Sequence, residues 1–230
     1  MPEELGKIEK PSAEEYLTGR KLFFIPLILT NQGLPPEFGE KYNRYWEQVE
    51  SQIANLEDKL GQVNRIYHEL VPETGEKGLE DLKQLKTGSL SIIQTRVEKG
   101  AVLENVEDAD LLAELMDWSR CLSIGLQSQK VFSTIYGLYT EANKKRNEHI
   151  SKKIGETLKE NEAGILIMAE GHQVQFPADI RIFYVAPPAL DDLKRWMRDF
   201  ESKSRGPQPK EPAAPEEHPE NKEAGQQGSS

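Results

Sequence analysis

Lys21 to Leu29 reads KLFFIPLIL, a continuous apolar run of the kind carried by a strand that is covered on both faces. QVNRIYHELV (Gln62 to Val71) is rich in β-formers and stops at Pro72, and GILIMA (Gly164 to Ala169) and DIRIFYVA (Asp179 to Ala186) complete four expected strands. Between the first two strands, Phe38, Tyr42, Tyr45, Val49, Ile53, Leu56 and Leu60 step by threes and fours. That spacing predicts a long amphipathic helix, opened by Pro35 and Pro36, which cost nothing in a first turn, and closed by Gly61. Strand, long helix, strand implies a crossover and therefore a parallel pair.

The middle of the chain reads as helical. GLEDLKQLKTG predicts a short helix, SLSIIQTRVEKG fits either a helix or a strand and is read as a second helix, and VEDADLLAELMDWSRCL predicts a third with Leu111, Leu115, Trp118 and Leu122 on one face and acids in its first turn. A long helix follows from about Ser128 to Lys159, with Val131, Ile135, Leu138 and Ala142 marking an inward face. After the last strand, Pro187 and Pro188 open a final helix with a stripe of Leu190, Leu193, Trp196, Met197 and Phe200. The expected fold is α/β: a small, mostly parallel sheet flanked by helices, with a helical insertion over about 77–126 between strands two and three. One domain spans 21–202, preceded by an extension over 1–20. From Lys203 the chain has no aromatic and no large aliphatic residue, so 203–230 reads as a disordered tail.

Charge narrows the function. The chain has 230 residues and a net charge of −10, and its one dense basic cluster, Lys144-Lys145-Arg146, is flanked by Glu141 and Glu148. Nucleic acid and anionic membrane surfaces are disfavoured partners, because both need a basic stripe. The single cysteine, Cys121, leaves no internal disulfide and no thiolate metal cage. MPEELGKIEKPSAEEY lacks the apolar core of a signal peptide, and no apolar run has bilayer length, which predicts a cytoplasmic protein.

The chemistry worth explaining sits at strand ends. IYHELV carries His68 and Glu69, and IMAEGH carries Glu170 and His172. In parallel sheets ligands collect at the carboxyl ends of strands, so Glu69, Glu170 and His172 are candidates for an acid–base pair or a metal site. The plainer reading is that the two acids bond loop amides or an arginine and that His172 caps a chain end. Arg146 falls on the core-facing stripe of the long helix, with His149 and Ile150 near it. A guanidinium there is costly unless it meets a carboxylate or a bound anion, or snorkels to water. No nucleophile elbow, phosphate-cradling glycine loop or HExxH motif is present.

The order of these pieces resembles the TraB family, with its Tiki-type protease and GumN-like members and, more distantly, the ChaN and erythromycin-esterase proteins. Glu69-Leu70 matches the family's strand-closing Glu-Leu pair. Arg146-Asn147 with Ile150, Ile154 and Leu158 matches its Arg-Asn/Asp helix, and Gly171-His172 its strand-closing Gly-His. The resemblance covers roughly residues 20–185. It implies a site built from Glu69, Glu170, His172 and Arg146, with Glu69 and His172 as ligands for a divalent metal. The family's Gly-Thr-x-His element on the first strand is absent, since no histidine precedes His68. The leading expectation is therefore a non-catalytic domain that binds a small ligand or a protein partner around a buried Glu/Arg/His cluster. The alternative is a metal-assisted hydrolase of peptide or ester bonds. A third reading is a scaffold whose long helices present a partner surface.

Overall fold

The structure, a computed structural model, describes residues 17–29 and 34–204. Strands β1 (Arg20–Pro26), β2 (Val63–His68), β3 (Val102–Glu104), β4 (Ala163–Met168) and β5 (Ile180–Tyr184) form one sheet in the order β3-β2-β4-β1-β5. Every neighbouring pair is parallel. Helices α1 (Pro36–Leu60), α2 (Gly75–Leu85), α3 (Leu90–Glu98), α4 (Ala109–Ser123), α5 (Gln129–Thr157) and α6 (Pro188–Ser204) supply the outer layers.

The apolar run of β1 is continuous because both of its faces are covered. Phe23 and Ile25 join Ile66, Ile165 and Ile167 on one face, under Tyr45, Val49 and Ile53 of α1 and Leu190 and Leu193 of α6. Leu22 and Phe24 join Tyr67, Leu166 and Met168 on the other, under Ile150 and Ile154 of α5. Pro35 and Pro36 start α1 as expected, and Gly61 ends it at φ 104°, a left-handed backbone that suits glycine. The aromatic stripe of α6 packs through Trp196 onto Phe38 of α1, ring centroids 5.6 Å apart.

Three expectations need correction. The segment between the second and third expected strands is not purely helical: it holds β3, which pairs with β2 through Arg65, Ile66 and Tyr67 opposite Val102, Leu103 and Glu104. Three residues are too few to show a period of two, and β3 exists because a neighbour offers a free edge and Leu103 is buried against it. The inward stripe on α5 begins later than its apolar residues do. Ala142, Ile150 and Ile154 are buried, but Val131 and Leu138 are 45% and 36% exposed. Lastly, α6 runs on through Lys203, while the tail beyond it, the residues before Leu17 and the loop tip 30–33 lie outside the described residues. No helix among the described residues is long and apolar enough to cross a membrane.

The helix face shared by α1 and α3 buries one ion pair. Arg96 is 1% exposed and donates to Glu57 at 2.9 Å and to Glu50 at 2.6 Å, both on α1. Glu57 also accepts from the backbone N–H of Val63 at 3.3 Å, tying the start of β2 to the end of the helix before it. Removing one partner of such a pair strands the other charge. Arg96→Ala should therefore lower stability by about 3–5 kcal/mol, read as a shifted urea midpoint, whereas Lys99→Ala on the exposed side of the same turn should change it by less than about 0.5 kcal/mol.

Candidate functional site

The chain leaves the carboxyl ends of β2 and β4 in opposite directions. From β2 it runs outward through α2 and α3 to the edge strand β3; from β4 it crosses β1 to reach β5. Neighbouring strands whose connections diverge leave a crevice between their ends, and Glu69 and Ala169 are the first residues past those ends. Glu69 bridges the crevice: its Oε2 accepts from the Ala169 N–H at 2.6 Å.

Arg146 reaches the same point from α5. Its Nη2 donates to Glu69 Oε1 at 3.0 Å, its Nε donates to Glu107 Oε2 at 2.8 Å, and Nη2 also binds Glu107 Oε1. The side chains of Arg146, Glu69 and Glu107 are 6%, 11% and 0% exposed. Burial by itself would pull the guanidinium's pKa down; the hydrogen bonds and charges of Glu107 and Glu69 more than offset that and hold it above its ordinary value. Glu107 Oε1 also accepts from the N–H of Leu70, whose φ of 69° turns the backbone sharply at the end of β2. Two carboxylates and one guanidinium thus join the ends of β2 and β4, the β3–α4 loop and α5.

Glu107 is the functional residue that sequence reasoning missed. It precedes Asp108, which caps α4 by accepting from the N–H groups of Asp110 and Leu111 at 3.0 Å, and it was absorbed into that acidic helix start. The usable signal was a carboxylate between the apolar Val106 and the cap, outside any helical period.

On the opposite side of β2, His68 is fully buried. Its Nδ1 lies 2.5 Å from the carbonyl oxygen of Glu69, which can only accept, so Nδ1 carries the proton. Nε2 then accepts from Ser89 Oγ at 3.1 Å, and Ser89 in turn accepts from Thr87 Oγ1 at 2.6 Å. This relay fixes the peptide that carries Glu69. Burial pushes the His68 pKa down to about 4, so the ring is neutral near pH 7.

The strand-end residues do not all converge. His172 packs its ring against Phe24 at 4.9 Å and Phe176 at 5.7 Å, and Nδ1 accepts from the Val174 N–H at 3.2 Å. Burial lowers its pKa, while the charge of Glu69 opposes the shift. Glu170 is drawn off in another direction, where it accepts from Tyr184 Oη and pairs with Lys194 Nζ. That correction has a simple cause: Glu170 and Glu69 would be like charges in one crevice, and a lysine on α6 lies on the open side. The Lys194 ammonium and the Tyr184 hydroxyl hold the Glu170 carboxyl below its usual range. His149, also placed inward by spacing, is half-buried and takes no part in the cluster.

Above the ion cluster lies a pocket of about 460 Å³. Arg146, Glu69 and His172 line it, together with Asn143, Asn147 and Tyr139 of α5, Leu112, Leu115 and Met116 of α4, and Leu29 and Met168 at the strand ends. Glu69 accepts from Arg146 and from the Ala169 N–H, and Nε and Nη2 of Arg146 are taken up by Glu107 and Glu69, so the charged groups at this point are paired with one another. Among the described residues no group of three or more His, Cys, Asp or Glu is arranged to hold a metal ion. The ion cluster beneath the pocket carries two acids for one base: Glu69 and Arg146 line the pocket, and Glu107 is sealed behind them.

Arg146→Ala should cost about 3–5 kcal/mol because it leaves the wholly buried Glu107 unpaired, and Arg146→Lys should recover only part of this, since an ammonium cannot span both carboxylates. A denaturant titration of both variants checks the order. His68 supplies a pH dependence. The unfolded chain protonates His68 below about 6.5, the folded one only below about 4, so between those values the unfolded state binds more protons. Stability should fall by about 3 kcal/mol as pH drops through that window, and the wild type minus His68→Gln difference, measured across it, should isolate that component. Compared with protein-family models, with curated proteins and with solved structures, the chain matches none, which leaves the geometry of this site to speak for its function.

Proposed function

We propose that the chain is a TraB-like α/β domain that binds a small amphipathic ligand, neutral or cationic, in the pocket above Arg146 and does not transform it. The observation that carries this reading is the closed ion cluster beneath an apolar-walled pocket. Arg146 already has its two carboxylates, so the cluster under the pocket has a net negative charge, and Glu69 is the carboxylate of it that lines the pocket. The walls are leucine and methionine with a few amides and one tyrosine, the mixture that orients a ligand by a small number of polar contacts. The resemblance gains support from the same place. Glu69-Leu70, Arg146-Asn147 and Gly171-His172, the three short pieces that carry it, all line this one pocket.

Matched n-alkylammonium and n-alkylcarboxylate probes of equal chain length, titrated by calorimetry, test the charge preference. The ammonium series should bind at least about 10-fold tighter, worth about 1.4 kcal/mol, and Leu112→Trp, which fills the pocket from α4, should abolish binding by both. Equal affinity for the two series, or a preference for the carboxylate, would sink the reading. The alternative, a metal-assisted hydrolase, rests on Glu69 and His172 facing one pocket. Turnover of a peptide or ester panel by the purified chain, lost in a folded His172→Ala variant, would replace ligand binding by catalysis.

A further inference from the structure

Two cavities meet at Asn147. The pocket above Arg146 continues, along both of its walls, into a second groove of about 870 Å³. Helix α5 forms one wall, through Asn143, Asn147 and Ser151, and the segment that follows β4 forms the other, from Ala169 through His172 to Gln175. Asn147 lines both cavities. The two differ in character: leucine and methionine wall the first, while Val174 is the one apolar residue on the second. Ser151 Oγ donates to the Gln175 carbonyl and ties the walls together at the far end, so the protein itself sets the width of the groove.

Asn147 is 6% exposed, yet among the described residues no hydrogen bond reaches its carboxamide. A carboxamide offers two N–H donors and a carbonyl acceptor, and leaving them unmet in a buried place costs more than the same volume of hydrocarbon. Its setting on the helix is as specific. Tyr139, Asn143, Asn147 and Ser151 recur at every fourth position, an uncharged hydrogen-bonding stripe on a helix whose neighbouring positions Lys144, Lys145, Glu148 and Lys152 are charged. Across the gap, His172 Nδ1 accepts from the Val174 N–H, so Nε2 carries the proton of the neutral ring, and no acceptor among the described residues takes it. A carboxamide on one wall and an N–H donor on the other are therefore left without partners.

We infer that the ligand is an N-acyl amide: a secondary amide that lies between Asn147 and His172, with its acyl chain in the pocket above Arg146 and its polar N-substituent along the groove toward Gln175. The two halves of such a molecule match the two cavities, and the amide matches the junction. Planarity puts its N–H and C=O on opposite sides of the chain, and the two unpartnered groups stand on opposite walls. Asn147 Oδ1 accepts from the amide N–H, and His172 Nε2 donates to the amide carbonyl. An ester keeps the carbonyl and loses the N–H, which leaves Oδ1 buried without a donor. A site built to hydrogen-bond an N–H rejects the analogue that lacks it. An amide is also neutral, within the range of charge that the cluster beneath allows. The inference rests on the ligand-binding reading of the pocket; what it adds is the class of ligand and the two residues that read it.

Calorimetry of the full chain with octanoyl ethanolamide and with its ester counterpart, ethylene glycol monooctanoate, reads the outcome, since the two differ by an N–H in place of an oxygen. The wild type should bind the amide at least about 10-fold more tightly than the ester. Asn147→Leu should bring the two within about 2-fold by weakening the amide, and His172→Phe should weaken both, because both keep the carbonyl. In the free chain the Asn147 carboxamide has no partner to lose, so Asn147→Leu should unfold at a urea midpoint no lower than that of the wild type. Equal binding of amide and ester by the wild type overturns the inference. So does an amide preference that survives Asn147→Leu, amide binding untouched by His172→Phe, or a lowered midpoint for Asn147→Leu, which would make that side chain structural. Where the alkylammonium probes bind the wild type and the amide preference is missing, the ligand class alone fails; where no probe of either kind binds, the ligand-binding reading fails with it.

Discussion

A guanidinium sealed between two carboxylates organises the functional end of this protein. Arg146 is on α5, Glu69 follows β2, and Glu107 precedes α4, so the cluster closes only when three separate connections have reached their final places. A pair is costly to bury and worse to break, and the geometry here removes most of that cost. The two acids also take backbone donors from Leu70 and Ala169, so the charges are solvated by the protein in place of water. The cluster therefore contributes more to the specific alignment of strand ends than to raw stability.

His68 does a complementary job from the other side of the sheet. Adjacent residues on a strand point to opposite faces, so His68 faces the α3 side while Glu69 faces α5. The relay from Thr87 through Ser89 and His68 ends on the Glu69 carbonyl. Glu69 is thereby fixed twice, through its main chain on one face and through its carboxylate on the other. A side chain held that firmly presents lone pairs to a ligand without having to be ordered on binding, which is what preorganisation means in energetic terms.

The mismatch between a long helix and short strands shapes everything above the sheet. Helix α5 has 29 residues and β4 six, so the helix runs past the strand ends and there supplies the pocket wall, through Tyr139 and Asn143.

Local pattern by itself determined the four longer strands, the proline starts of α1 and α6, the glycine stop of α1, and the parallel α/β class, because each depends on periodicity or on backbone preferences of nearby residues. It also placed Arg146 on an inward stripe and recognised a carboxylate as its natural partner. Which carboxylates would serve was decided by tertiary structure: Glu107 arrived through the course of the β3–α4 loop, and Glu170 was taken away by Lys194 and Tyr184 from α6 and β5. Strand β3 likewise has no signal of its own and is created by the free edge of β2. The apolar residues at the start of α5 carry the periodicity of a buried helix, yet the sheet ends before it reaches them. Periodicity reports which side of a helix is apolar; only the lengths of the elements packed together decide how much of that side is covered.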